Sequence, residues 1–320
     1  MSAAHRTLVA IACSLLALAL LAGAGIALTW SPDLPVSALA PRWATPPSAF
    51  IAVGGLNVHY RDEGPRDDPT PVVLLHGTSS SLHTRDGWAD ALSAKRRVVR
   101  FDLPGFGLTG PNAGADYSDA AYVGFVLQML DALNLPRVVL GGNSLGGAIA
   151  WQTAVAAPER VAQLILVDAG GYAVEATSVP IGFRVAAAPG LRSVMRYVLP
   201  RSVVEASVRS VFGDPTRVTP ALVDRYVAMT LRAGNREALS QRMAQMNWGQ
   251  NLGGLRILTQ RTLVMWGGRD RLIPPVHAQQ FAHDIPGSTL VMFDDLGHVP
   301  QEEDPQRTVL AVQRFLGAGG

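Results

Sequence analysis

The sequence predicts an α/β protein: a mostly parallel central sheet with helices on both faces, carrying an inserted helical cap. Six short apolar runs, at 72–76, 98–102, 138–142, 164–168, 263–267 and 289–293, read as strands buried on both faces. Segments of helical spacing at 117–135, 148–157 and 309–316 alternate with them, which implies crossover connections and parallel strands. One stretch, about 172–257, breaks the alternation. It holds no such run, is interrupted by Pro180, Pro189, Pro200, Pro215 and Pro220, and reads as helices inserted between two strands.

From the N-terminus, residues 1–32 form a unit of their own. No charge occurs from Thr7 to Pro32, and residues 8–28 are almost wholly Ala, Leu, Val, Ile and Gly. That suffices for the ~20 residues of a membrane-spanning helix. The alternative is a signal peptide cut near Ala22-Gly23-Ala24, although its apolar core would exceed the usual ~7–15 residues. Arg6 precedes the segment and Asp33 follows it, which orients the N-terminus to the cytoplasm and the remainder outside. The expected location is a bacterial inner membrane with the domain facing the periplasm, or the exterior after cleavage. Cys13 is the one cysteine, so no intrachain disulfide or cysteine metal cluster is possible. Residues 33–48, with Pro35, Pro41, Pro46 and Pro47, read as an extended tether. The domain proper, 49–320, opens with a hairpin whose strands at 50–53 and 56–61 flank Gly54-Gly55.

Hydrophobic residues make up 48% of the chain and the net charge is +2, a balance that does not point to nucleic acid. The cap is skewed, with eleven arginines against five carboxylates between 172 and 257. Solvated helix faces account for most such runs; the sharper reading is a surface for anionic headgroups or an acidic substrate.

The chemistry gathers around Gly142-Asn143-Ser144-Leu145-Gly146, a G-x-S-x-G pattern that directly follows a strand and opens a helix. In that setting the glycines permit a sharp, crowded turn that holds Ser144 at the strand's C-terminal end. His76-Gly77-Thr78 ends the 72–76 strand. By position, the Thr78 amide and the Leu145 amide, which follows the nucleophile, would form the oxyanion hole. A serine needs a base, and the base an orienting carboxylate. Of the seven histidines, His298 alone follows the last strand, and the chain order Ser, acid, His selects it. Asp270, after the 263–267 strand, is the preferred acid. Asp168, at the end of the preceding strand, is the alternative. No metal-ligand spacing occurs, and neither a metal nor an organic cofactor is expected.

The stretches 72–78, Phe101-Asp102-Leu103-Pro104-Gly105-Phe106-Gly107, 142–147, 267–270 and 297–305 resemble the α/β-hydrolase superfamily, from about Phe50 to the C-terminus apart from the cap. Within it the chain is most similar to the serine-nucleophile branch of meta-cleavage-product C–C hydrolases and related esterases. It departs from those C–C hydrolases at Val299, where they usually carry tryptophan after the histidine. Their substrate-binding cap arginine has no single counterpart among the many here. A serine at position 144 is unlike the aspartate of similar haloalkane dehalogenases and epoxide hydrolases.

The expected function is hydrolysis of a carboxylic ester of a small to medium hydrophobic substrate through a Ser144–His298–Asp270 triad and an acyl-enzyme. The alternatives are a C–C bond hydrolase or cofactor-free perhydrolase with the same triad, and a non-catalytic hydrolase-fold binding protein. Tyr172, Phe183, Met195, Tyr197, Phe212, Met243, Met246 and Trp248 offer apolar material for cap core and pocket. The expected partners are this small ester and, through the N-terminal segment, a membrane.

Overall fold

The computed structural model describes residues 2–188 and 196–317; Pro189, Arg192 and Met195 lie outside the described residues. Its centre is an eight-stranded sheet of order β1-β2-β4-β3-β5-β6-β7-β8. The strands are β1 Ala49–Val53, β2 Leu56–Glu63, β3 Val72–Leu75, β4 Val98–Phe101, β5 Val138–Asn143, β6 Val161–Val167, β7 Arg261–Gly267 and β8 Thr289–Phe293. The β1–β2 hairpin joins β4 antiparallel, and β4, β3, β5, β6, β7 and β8 are mutually parallel.

Alternate side chains of the buried strands feed two cores, as the period of two requires. Val72 and Leu74 of β3 pack with Trp88, Val309 and Phe315, whereas Val73 and Leu75 pack with Phe125, Ile149 and Phe281. The first core is covered by α3 (Asp86–Leu92) and the C-terminal helix Pro305–Gly317, the second by α4 (Asp119–Ala132), α5 (Leu145–Ala156) and a helix at Val276–Asp284. The sixth apolar run differs from the expected doubly buried strand. β8 is the sheet edge, and only Phe293 in it is fully buried.

Between β6 and β7 the described residues form α6 (Ile181–Ala187), α7 (Arg201–Val211), α8 (Pro220–Leu231) and α9 (Asn235–Gln245). Val204, Val208, Phe212 and Val223 build a small core of their own that also takes in Val299. The charge skew of this region is resolved by pairing. Eight of its ten described arginines make ion pairs, and five of these draw a carboxylate from outside it: Asp33, Asp119, Asp284, Glu302 and Asp304.

α1 (Ala3–Leu28) is exposed at its described side chains, and is long and apolar enough to cross a membrane by length and composition. The stretch after it is not the extended tether expected. Residues 29–34 hydrogen-bond to the cap on both sides, through Ser31 N–H to Tyr197 O (2.7 Å), Leu34 N–H to Leu231 O (2.7 Å) and Ala233 N–H to Leu34 O (2.8 Å). Trp30 stacks on Tyr197 with ring centroids 5.0 Å apart. α2 (Val36–Trp43) then buries Leu39 against Leu108 and Met229. Pro41 removes only one backbone donor from this two-turn helix, a loss that the packing of its apolar side outweighs.

Candidate active site

β5 ends at Asn143 and α5 begins at Leu145, so the direction of the chain reverses at Ser144. Its backbone sits at φ 55°, ψ −117°, a region that costs an L-residue about 1–3 kcal/mol unless its surroundings enforce it. The enforcement is steric. A Cβ on Gly142 would stand 2.1 Å from the Gly146 carbonyl oxygen, and one on Gly146 2.6 Å from that of His76. Ser144 N–H donates to Val167 O (3.1 Å), and Ser144 O accepts from Ala148 and Gly170 N–H (both 3.0 Å).

The loop after β3 runs directly against this turn: a Cβ on Gly77 would meet Ser144 Cβ at 3.2 Å. Thr78, Ser144 and Leu145 line one cavity, and neither the Thr78 nor the Leu145 amide donates to another described protein group. His76 sets the loop. Its Nε2 accepts from Leu103 N–H (2.9 Å), so Nδ1 carries the proton and donates to Gly77 O (2.8 Å). The Gly77 carbonyl and the Thr78 N–H belong to one planar peptide and point in opposite directions, so the bond from His76 orients that amide. Burial pushes the His76 imidazole below its ordinary pKa, which keeps it in this neutral form.

His298 follows β8, is buried, and places Nδ1 2.7 Å from Asp270 Oδ2. The other oxygen of Asp270 accepts Leu272 N–H (2.8 Å) and Ile273 N–H (2.9 Å), so the carboxylate is fixed. Held this way, the ring leaves Nε2 available as a base, and Ser144 and His298 line a common cavity. Two residues without an evident sequence signal support the loop. Asn143 donates from Nδ2 to His298 O (2.9 Å). Glu303 accepts from Gly297 N–H (2.8 Å) and also from Gly213 and Asp214 N–H in the cap (2.9 and 2.7 Å).

Asp168 lies beside this pair and makes no hydrogen bond to the imidazole. Donor atoms of Asp168, Asp270 and His298 all fall within 4.8 Å of one another. Asp168 Oδ1 accepts Gly267 N–H (2.9 Å). Complete burial, and then the charge of Asp270, push the Asp168 carboxyl well above the ordinary carboxylate range. Neutral Asp168 can donate to Asp270, replacing repulsion with a hydrogen bond. The spacing would admit a metal ion, but the His298–Asp270 contact and the two amides already occupy this donor set.

A second Ser–His–Asp chain lies apart from the cavities. Asp102 Oδ2 is 2.8 Å from His59 Nδ1, and His59 Nε2 is 2.9 Å from Ser48 Oγ, which also accepts from Arg61 Nε (2.9 Å). Asp102 further accepts Leu82 and Leu108 N–H, both at 2.7 Å. Ser48 lines neither cavity at Ser144. The chain ties the end of the N-terminal segment to β2 and to the loop after β4.

A serine on a strained strand–helix turn and a carboxylate-held imidazole line one cavity at the C-terminal edge of a parallel sheet, beside the helices inserted between β6 and β7. Residues 70–305 match the model of the alpha/beta hydrolase fold family, and the chain belongs to that family. Among similar proteins is the 2-hydroxy-6-oxo-2,4-heptadienoate hydrolase of Pseudomonas putida, 31% identical over 84% of this chain and 96% of the relative. Among solved structures, a meta-cleavage product hydrolase from Pseudomonas fluorescens IP01 has a TM-score of 0.73 at 26% identity, covering 85% of this chain and 98% of its own. A membrane phospholipase A, described as a bacterial virulence factor, has a TM-score of 0.73 at 25% identity and covers 98% of both chains.

Proposed function

We propose that the protein is a serine carboxylester hydrolase for a hydrophobic ester. The observation that carries the reading is the His298 Nδ1–Asp270 contact at 2.7 Å, with His298 and Ser144 lining a common cavity. Ser144 Oγ attacks the ester carbon while His298 Nε2 takes its proton, and Asp270 holds the tautomer and steadies the cation. The Thr78 and Leu145 amides receive the oxyanion; losing one such donor typically costs about 10²–10³ in turnover. His298 returns the proton to the departing alkoxide. Water, deprotonated by the same imidazole, then releases the acid and restores Ser144.

The meta-cleavage relatives favour C–C hydrolysis as a second reading with the same triad. The two mainly apolar cavities that Ser144 lines and Val299 in place of their usual tryptophan favour the ester. Likeness to a membrane phospholipase A over nearly the whole chain, together with α1, supports a lipophilic ester met at a membrane, with α1 as anchor and the domain outside the cytoplasm.

The test is fluorophosphonate labelling of the full chain in detergent. Labelling of the wild type and of Ser48→Ala, and its loss in Ser144→Ala, are expected. A folded wild type that resists labelling would sink the proposal. Turnover of alkyl esters but not of vinylogous diketo acids then separates the two readings.

A further inference from the structure

Among the described residues, two cavities include Ser144 in their walls. One, of about 330 Å³, is walled by Leu145, Ala148, Trp151, Met243, Met246 and Trp248. The other, of about 300 Å³, is walled by Leu199, Val203, Val204, Val208, His298 and Val299. Both include Thr78, Ser144, Phe183 and Leu272, but His298 belongs to the second alone.

The stereochemistry of acyl transfer gives each a role. The tetrahedral carbon carries Ser144 Oγ, the oxyanion, the acyl chain and the leaving oxygen. The leaving oxygen must face the imidazole that protonates it. We infer that the valine cavity, the one His298 lines, receives the alcohol portion, and that the tryptophan cavity receives the acyl chain. The substrate is then an ester with hydrocarbon on both sides of the carbonyl. This inference rests on the ester reading above and deepens it to a substrate class.

The polar side chains in the walls do not contradict this. Arg242 pairs with Asp119 at 3.1 Å and donates to Tyr117 O at 2.8 Å, and Gln152 donates to Asp119 at 3.1 Å. In the valine cavity Arg236 pairs with Asp33 at 2.6 Å, and the Tyr226 hydroxyl donates to Glu302 at 2.7 Å. With the charges of Arg242 and Arg236 met inside the protein, both walls present mainly aliphatic and aromatic surface; Arg184, exposed and without an ion partner among the described residues, is the one charge left in the tryptophan cavity.

The step balances without a co-reactant beyond water. The Ser144 Oγ–carbon bond forms, the proton passes to His298, the carbon–oxygen bond to the alcohol breaks, and His298 delivers that proton to the alkoxide inside the valine cavity.

The experiment narrows each cavity in turn. Met243→Trp fills the tryptophan cavity and Val203→Trp the valine cavity; both positions are half-buried, where added bulk is tolerated. The full-length protein in detergent is treated with O-alkyl alkylphosphonofluoridates, in which Ser144 displaces fluoride. The P–C arm then mimics the acyl chain and the P–O arm the alcohol. Octyl arms are compared with methyl arms on each side, with circular dichroism as the folding check and kcat/KM on the matching alkyl alkanoates beside it. Met243→Trp is expected to slow inactivation by a long P–C arm about tenfold or more while sparing a long P–O arm, and Val203→Trp to do the reverse. Exchanged or common effects would overturn the assignment, as would wild-type inactivation that falls when either arm is lengthened. Because phosphonylation needs only the activated serine, failure to label Ser144 at all would instead refute the proposed hydrolase chemistry.

Discussion

Asp168 and Asp270 are two carboxyls at the ends of adjacent strands, yet their surroundings divide their work. Asp270 accepts two amides and faces His298 Nδ1, so it remains a fixed acceptor. Asp168 is buried beside that charge and is pushed toward its neutral form. Asp270→Asn is expected to lower kcat by about 10⁴, since an amide there favours the wrong imidazole tautomer. Asp168→Asn keeps a donor beside Asp270 and tolerates the backbone at φ 44°, so most activity should remain. Its signature lies in stability. The folded chain holds the Asp168 proton to a higher pH than the unfolded chain, whose group titrates near the ordinary 3.8. The contribution of this group is therefore complete below about 3.8 and declines as pH rises toward the elevated folded value. Urea unfolding at several pH values should show Asp168→Asn gaining on the wild type as pH rises through that window. A constant difference would remove the charge argument. In the sequence, chain order sufficed to prefer Asp270. That Asp168 presses on it follows only from the pairing of β6 with β7.

At the level of elements, legibility followed burial. Strands covered on both faces must be apolar throughout, so β3, β4 and β5 stand out as continuous runs. The serine turn was equally legible, because a crowded backbone admits little but glycine around it. The N-terminal segment was misread because its helix is held by tertiary contacts of Leu39 and by His83 Nε2 donating to Trp43 O at 2.8 Å; the prolines that suggested extension do not reveal these. Glu303 was silent for a related reason: its role is to gather amides from two separate loops. Glu303→Ala would strip acceptors from Gly297, Gly213 and Asp214 N–H, at about 1–3 kcal/mol for each amide left buried. The thermal midpoint should fall, and kcat should fall more than KM rises, because the loop that carries His298 loosens. Unchanged kcat beside a lowered midpoint would make Glu303 a purely structural staple.

Across the whole molecule, charge organises the cap more than its composition implied. The eleven arginines read mainly as solvated helix faces, with an anionic-surface contact as the sharper alternative, and carboxylates from outside the cap claim five of those that form ion pairs. A chain lacking α1 is therefore expected to show no marked preference for anionic over zwitterionic vesicles at physiological salt in a flotation assay. Strong salt-sensitive binding would return the cap to consideration as a lipid-facing surface.

The strap of residues 29–48 also determines how the polypeptide can be shortened. A peptidase acting after Ala24 would leave Thr29–Asp33 in place, so release from a membrane and retention in it are compatible with the same folded domain. A cut at the start of β1 is another matter. It would take the partly solvated Asp33 carboxylate and the Ser31 carbonyl from buried Arg236, and it would empty the site that Leu39 fills, at about 2–5 kcal/mol. Chains beginning at Gly25 and at Ala49, expressed side by side, should give a soluble enzyme and an aggregating one. In that sense the minimal hydrolase begins well before its first strand.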